Sequence, residues 1–263
     1  MTDVDRTQGW FDQNGFGLRF GWGPNGLRRL APAADAVVIV DVLSFSTSVD
    51  VALGRGAVVL PYKWHDGSED AFGLTNNAIV AAKSAAPGQL SLRPSSLREV
   101  EPGTRLVLPS PNGSALAFAA AAAGAARVAV ASLRNAAAVA RALTAIDGDA
   151  SAVVAVIAAG ERWRGTTGPL RPAIEDLLGA GAVLSALGRA NEASPEASVA
   201  IAAFREAEPV LGERLRSCGS GRELIDRGFP ADVELAAELN VSAVAPFLVG
   251  PELLDASGGL GES

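Results

Sequence analysis

The chain has very little histidine and cysteine: His65 and Cys218 are the single residues of each type among 263. One cysteine cannot form an intramolecular disulfide, which favours a reducing, cytoplasmic setting. A zinc site with several histidines is excluded, and a structural zinc site is not expected. We interpret His65 as a surface-loop residue and Cys218 as a buried or half-buried thiol, so neither predicts the chemistry of the protein.

Basic charge and long apolar runs are scarce as well. The 22 Lys and Arg residues are outnumbered by 29 Asp and Glu, which gives a net charge of −7. Nonspecific nucleic-acid binding needs a basic surface, so we expect none. No apolar run reaches the roughly 18 residues of a membrane helix, and residues 1–21 lack the apolar core of a signal peptide. We therefore expect no association with a membrane.

Short apolar runs alternate with longer segments of helical pattern. The strand predictions are 36–40, 57–60, 89–92, 105–108, 127–131, 152–158 and 244–249. The helix predictions are 46–53, 71–85, 114–123, 135–146, 172–189, 195–208, 210–217, 221–227 and 231–238. This order predicts an α/β fold, a layered and mostly parallel sheet covered by helices on both faces, with a helical C-terminal elaboration. We place the main domain and most of the site in 1–190, a helical elaboration or small subdomain that returns to the sheet in 191–250, and a flexible tail in 251–263.

An aspartate ends the strand predicted at 36–40. Asp41 is followed by Ser44, Ser46 and Thr47, where a helix begins. Ligands of open α/β sheets bind outside the carboxyl ends of the strands, and a carboxylate beside a helix N-terminus suits a metal ion together with an anion. The alternative is that Asp41 only caps the turn.

A polar turn follows the strand predicted at 105–108. It contains Ser110, Asn112, Gly113 and Ser114, and an alanine-rich helix comes next. Backbone N–H groups in such a turn can cradle an anion, although an ordinary helix N-cap at Asn112 or Ser114 explains the same residues. We interpret Asn135, at the end of another strand, as an N-cap that also reaches the pocket.

Acidic residues gather after the strand predicted at 152–158. Gly160 and Glu161 follow that strand, and Glu175 and Asp176 open a long helix. Three carboxylates in this arrangement suit a Mg²⁺ site with oxygen ligands. Favourable contact of acids with the helix dipole is the alternative explanation for Glu175 and Asp176.

Taken in order, these segments resemble the 2-phosphosulfolactate phosphatase family over roughly residues 20–250. The segments that carry the resemblance are VIVDVL (38–43), Ser46-Thr47, SLRPS (91–95), LPSPNGS (108–114), SLRNA (132–136), AGE (159–161), Glu175-Asp176 with Ala180-Gly181, GFPADV (228–233) and VAP (244–246). The resemblance implies a Mg²⁺-dependent phosphatase of coenzyme M biosynthesis that hydrolyses a phosphate monoester of a small acidic hydroxy acid, 2-phosphosulfolactate or a relative.

The resemblance also implies roles for individual residues. The catalytic residues would be Asp41 and Glu161, and the metal ligands Asp41, Glu175 and Asp176, with Asp41 a ligand or a nucleophile. The substrate would be bound by Ser44, Ser46, Thr47, Ser110, Asn112, Gly113, Ser114, Asn135 and Gly160.

One residue departs from the family pattern. Ser44 stands where members with the named activity carry an arginine, so Arg93, Arg134, Arg162 or Arg164 would have to supply a guanidinium for the acidic substrate. Two alternatives stay open: a non-catalytic protein that binds small anions on the same scaffold, and a phosphatase of another class. The haloacid-dehalogenase type needs a second Asp at the position of Leu43. The alanine-rich helices would suit a homodimer.

Overall fold

A computed structural model describes residues 10–63, 67–82, 88–147, 152–163 and 168–258, so His65 and Arg164 lie outside the described residues. The strands are β1 (Leu18–Trp22), β2 (Ala36–Val40), β3 (Val58–Tyr62), β4 (Ile79–Val80), β5 (Arg105–Pro109), β6 (Val128–Ala131), β7 (Val154–Ala158), β8 (Glu161–Arg162), β9 (Leu170–Arg171), β10 (Pro246–Val249) and β11 (Glu252–Asp255). The helices are α1 (Gly23–Leu30), α2 (Phe45–Gly54), α3 (Glu69–Thr75), α4 (Gly113–Ala122), α5 (Ala136–Asp147), α6 (Ile174–Ala186), α7 (Pro195–Ala207), α8 (Leu211–Ser217), α9 (Gly219–Asp226) and α10 (Pro230–Ala236).

The main sheet has the strand order β1-β7-β2-β6-β10-β11-β3-β5-β4. Strands β1, β7, β2 and β6 pair in parallel, as do β3, β5 and β4. The antiparallel hairpin β10–β11 joins these two groups, through the pairs Phe247–Ala129 and Leu253–Val59. Every residue of β2 and β7 is buried, as expected for parallel strands that are covered on both faces.

Alternate residues of each strand contribute to two different cores. Val38 and Val40 pack on one face of the sheet with α5, α6, α7, α8 and α10. Val37 and Ile39 pack on the other face with α1, α2 and α4. The side-chain alternation of a strand explains this division, and the predicted α/β fold with helices on both faces is confirmed.

The helices after residue 190 pack into the same core as the sheet. Ala197, Phe204 and Leu215 share a buried cluster with Val38 of β2. The domain boundary at 190 stays a prediction. Among the described residues, no helix combines the length and the hydropathy that crossing a membrane requires.

Three local predictions need correction. The predicted tail 251–263 contains β11, which reverses after β10 and buries Leu253, so this part of it belongs to the sheet; residues 259–263 are outside the described chain. The helix predicted over 71–85 ends at Thr75, because Asn77 turns the chain with a φ of 49° and β4 follows. The strand predicted at 89–92 is irregular, and only Ser91 bridges to Ala82 before a 3₁₀ helix at Pro94–Leu97.

Candidate active site

Asp41 lies at the carboxyl end of β2 and contacts the first residues of two helices. Its Oδ2 accepts a hydrogen bond from the N–H of Gly113, the first residue of α4, at 2.8 Å. Its Oδ1 accepts one from the N–H of Phe45, the first residue of α2, at 3.3 Å. The side chain is 5% exposed. Helix N-termini carry partial positive charge, so both helices favour an anion at this point.

Gly113 is closely packed against the aspartate. A Cβ atom at this position would lie 2.7 Å from Asp41 Oδ2 and 2.6 Å from Phe45 Cδ1. Such distances are below van der Waals contact. The first residue of α4 is therefore glycine because any side chain would move the helix away from Asp41.

Asp176 connects two strand ends. Its Oδ1 accepts the N–H of Val42 at 2.7 Å, and its Oδ2 accepts the N–H of Gly160 at 2.8 Å. Gly160 has a φ of +67°, which aims its N–H inward in a backbone conformation that side chains disfavour. Asp176, in the first turn of α6, thus fixes the loops after β2 and β7 relative to each other.

Glu161 and Asn112 form the more accessible side of the site. Glu161 is half-buried, and its Oε1 accepts the side-chain amide of Asn112 at 3.0 Å and the N–H of Arg162 at 2.8 Å. A groove adjoins this contact, and it is lined by Pro24, Pro111, Asn112, Leu116, Ala159 and Arg162. A small molecule in the groove would contact Asn112, the partner of Glu161.

The four acidic residues Asp41, Glu161, Glu175 and Asp176 are called the carboxylate cluster below, and two of them, Asp41 and Asp176, have raised pKa values. Burial raises the pKa of Asp41 to about 7, and the charges of Glu161 and Glu175 add to this effect, while the N–H groups of Gly113 and Phe45 oppose it. Burial likewise raises the pKa of Asp176 well above its usual range, with further contributions from Asp41 and Glu175. The cluster concentrates negative charge that a proton or a cation would relieve.

The carboxylate cluster suits Mg²⁺ in ligand chemistry, because its members offer the oxygen atoms that this ion prefers. Within the described ranges, however, no three Asp, Glu, His or Cys side chains are grouped so that they could hold a metal ion. Mg²⁺ is usually bound through one or two carboxylates, with water and substrate phosphate completing its coordination. The residues present fit that open type of site and do not fit a closed protein cage.

The hydroxyl groups predicted to bind substrate make internal hydrogen bonds. Ser46 Oγ accepts the N–H of Asp41 at 2.9 Å, and Thr47 Oγ1 donates to the carbonyl of Val42 at 2.7 Å. Ser114 Oγ contacts both the N–H and the carbonyl of Tyr62, at 2.6 and 2.7 Å. All three hydroxyl-bearing residues are fully buried. They hold the turns that shape the site, and direct binding of substrate by them stays a prediction.

The remaining predicted residues lie at different depths. Half-buried Ser44 precedes α2 and follows a cis peptide bond. Buried Ser110 accepts the N–H of Asn112 through Oγ at 3.3 Å. Asn135 is fully buried; its Oδ1 accepts the N–H of Ser132, and its Nδ2 donates to the carbonyl of Val244. Asn135 therefore joins the end of β6 to the segment before β10.

Glu175 has a hydrogen-bond partner that its sequence context does not indicate. Cys218, just before α9, donates from Sγ to Glu175 Oε2 at 3.3 Å, and Glu175 is 2% exposed. The two residues are 43 positions apart, and no motif connects them. Cys218 is half-buried, which confirms the interpretation of this residue.

We expect the Cys218 thiol to be inert in the native protein. Burial raises its pKa to about 12, and the Glu175 carboxylate contributes to the rise. At pH 8 a thiol reagent such as dithiobis-nitrobenzoate should therefore react at least about 100-fold more slowly with native than with urea-unfolded protein. Glu175→Gln should lower the pKa of the thiol and speed the native reaction. Equal rates for native and unfolded wild-type protein would contradict this contact.

Comparisons with known proteins identify the family of this chain. A family model described as 2-phosphosulpholactate phosphatase matches residues 26–251. A protein of Thermus thermophilus named a probable 2-phosphosulfolactate phosphatase is 30% identical over 222 residues, covering 82% of this chain and 89% of the relative. A protein of Deinococcus radiodurans with the same name is 30% identical over 232 residues, covering 82% and 88%. The matched residues include the whole carboxylate cluster, and the chain belongs to the 2-phosphosulpholactate phosphatase family, a family of phosphoric monoester hydrolases, as its sequence motifs predict.

Proposed function

We propose that this chain is a Mg²⁺-dependent phosphatase that hydrolyses the phosphate monoester of a small acidic hydroxy acid, 2-phosphosulfolactate or a relative. The observation that carries the proposal is the placement of Asp41, whose carboxyl accepts N–H groups from the first residues of α2 and α4. Glu161 and Glu175 lie within electrostatic range of it. Family membership supplies the substrate class, since both relatives carry the name of a phosphatase for that compound.

The acidic cluster and the anionic substrate are compatible only if positive charge lies between them. Bound Mg²⁺ would supply that charge and draw electron density from the phosphoryl oxygens. The positive ends of α2 and α4 act in the same direction, because the first N–H group of each helix donates to Asp41. Asp41 would either ligate the cation or attack the phosphorus itself.

Glu161 is the residue best placed to move a proton. Its Oε1 is held by Asn112 and Arg162, while the side chain stays half-buried at the groove. When water attacks phosphorus, the bond between phosphorus and the substrate oxygen breaks, and the proton of the water passes to Glu161 and then to the departing alkoxide. Asn112 would orient Glu161 and contact the phosphate.

The test is phosphate release from a panel of phosphorylated hydroxy acids that includes 2-phosphosulfolactate, in Mg²⁺ and in EDTA. We expect release in Mg²⁺ and its loss in EDTA, with recovery when Mg²⁺ is restored. A phosphoenzyme trapped by acid quench would identify Asp41 as the nucleophile. A folded protein that released phosphate from no member of the panel would contradict the proposal and favour an anion-binding role.

A further inference from the structure

Arg93 carries a guanidinium group that lacks an anionic partner. The residue precedes the 3₁₀ helix Pro94–Leu97, and its Cζ lies 4.4 Å from the centre of the Phe229 ring. Its Nε is buried without a hydrogen-bond partner, and within the described ranges no carboxylate forms an ion pair with it. Arg93 as a whole is half-buried, and stacking on an aromatic ring does not replace the hydrogen bond that its buried Nε lacks. The position therefore suits an acidic ligand.

The segment around Arg93 is attached to the helix turn that follows Asp41. Ser48, in the first turn of α2, donates from Oγ to the carbonyl of Leu92 at 2.7 Å. The N–H of Ser48 donates in turn to the carbonyl of Ser44 at 2.9 Å. Two hydrogen bonds thus connect the residue beside Arg93 with Ser44, at the edge of the candidate active site.

Asp232 fixes the geometry of this segment. Its Oδ1 accepts the N–H of Ser95 at 2.8 Å, and its Oδ2 is buried without a partner. Asp232 lies in the first turn of α10, where its N–H contacts the carbonyl of Phe229. The start of α10 therefore provides both the Phe229 ring that stacks on Arg93 and the Asp232 carboxylate that holds the turn after Arg93. The free oxygen of Asp232 remains for a hydroxyl or water donor.

Two other arginines near the sheet edge have hydrogen-bond partners for their guanidinium groups. Arg134 pairs through Nε with Asp50 at 2.7 Å and through Nη1 with Glu238. Arg162 donates from Nη1 to the carbonyl of Gly168 at 3.4 Å. Within the part of the chain that the structure describes, the charge of Arg162 is therefore hydrogen-bonded but not paired, whereas Arg93 differs from both residues in having a buried Nε without any acceptor.

We propose that Arg93 binds the acid group of the substrate that is remote from the phosphate, the sulfonate in the case of 2-phosphosulfolactate, and that Asp232 positions it. This inference rests on the proposed function and adds a determinant of specificity to it. The planar fork of the guanidinium can meet two oxygens of a sulfonate or carboxylate at once.

The test compares 2-phosphosulfolactate with 2-phospholactate, which differs from it by lacking the sulfonate. Arg93→Ala should lower kcat/KM for 2-phosphosulfolactate by about 30-fold, mainly through KM, and leave 2-phospholactate little changed. Arg93→Lys should recover part of the loss. Arg98→Ala, which removes the same charge from an exposed residue just after the 3₁₀ helix, is the matched control and should change neither substrate.

A structural role for Arg93 predicts a different result. If the residue only balanced Asp232, Arg93→Ala and Asp232→Asn would lower Tm and reduce activity on both substrates equally. That outcome, or an unchanged preference in Arg93→Ala, would overturn the inference.

Calorimetric binding of the products separates this inference from the proposed function. Wild-type protein should bind sulfolactate more tightly than lactate, and Arg93→Ala should remove the difference. Arg93-dependent binding of sulfolactate without any phosphate release would contradict the phosphatase proposal and support the assignment of Arg93. Turnover with the same preference in wild type and Arg93→Ala would leave the phosphatase proposal standing and refute the assignment of Arg93. Neither binding nor turnover in wild type would refute both.

Discussion

Asp41→Asn should abolish phosphate release, with kcat reduced at least about 1,000-fold. The Asp41 carboxyl accepts hydrogen bonds from the first residues of α2 and α4, and Glu161 and Glu175 lie within electrostatic range of it. An amide of nearly the same shape keeps one acceptor oxygen but can neither attack phosphorus nor supply negative charge to a cation. The measurement is single-turnover phosphate release at saturating Mg²⁺, with circular dichroism to verify the fold.

Asp35→Asn is the control for this substitution. Asp35 lies just before β2, at the other end of the same strand, and its carboxylate accepts the N–H of Val153 at 2.7 Å. The same chemical change there should leave kcat intact. Activity of Asp41→Asn within a few-fold of wild type would remove Asp41 from the chemistry and leave it as a structural cap.

Asp41→Asn should also change how the stability of the protein depends on pH. In metal-free buffer the native state holds the Asp41 proton more tightly than the unfolded state, since its pKa is raised to about 7 from 3.8. The stability that this proton contributes is complete below pH 3.8 and is lost as the pH rises through about 7, at roughly 1.4 kcal/mol for each unit of pKa difference. Wild-type Tm in EDTA should therefore fall over this interval, and Asp41→Asn should reduce the fall. Parallel Tm profiles would contradict the raised pKa.

Local sequence patterns predict the elements that carry the site. The run before Asp41 is apolar at every position, as a parallel strand buried on both faces requires, and β2 is found at Ala36–Val40. The turn before α4 and the acids at the start of α6 follow from the same reasoning, because breakers and helix-start residues are local signals. These patterns predict one shared edge, and the structure brings Asp41, Gly113 and Asp176 together there.

Contacts between distant segments could not be predicted in this way. The N–H of Val42 meets Asp176 from 134 positions away, and Asp232 meets Ser95 from 137 positions away. Such pairs depend on the order of strands in the sheet, which the periodicity of one segment does not encode. The hairpin β10–β11 is a second case, because it joins the two parallel groups through only one residue pair on each side. The internal hydrogen bonds of Ser46 and Ser114 could not be predicted either, because a hydroxyl group in a turn can face either the backbone or a ligand.

Gly113→Ala should damage both activity and stability. The added Cβ would lie 2.7 Å from the Asp41 carboxylate and 2.6 Å from the Phe45 ring, so α4 or Asp41 must shift. Overpacking of this kind typically costs about 1–3 kcal/mol, or several degrees of Tm in a chain of this size. Displacement of the Asp41 carboxyl by a fraction of an ångström to about 1 Å should lower kcat/KM by about 100-fold. Thermal unfolding and steady-state kinetics on the best substrate of the panel measure the two effects.

Gly54→Ala provides the matched control, because it makes the same chemical change at the last residue of α2, away from Asp41. A Cβ at Gly54 would meet Val244 Cγ2 at 3.6 Å, an ordinary van der Waals distance. Replacement of a helical glycine by alanine without a clash should keep or slightly raise Tm and leave kcat/KM unchanged. If Gly113→Ala behaved like Gly54→Ala, the N–H of residue 113 would not need its close approach to Asp41. The start of α4 would then have no part in placing the Asp41 carboxyl, which would have to be held in position by α2 alone.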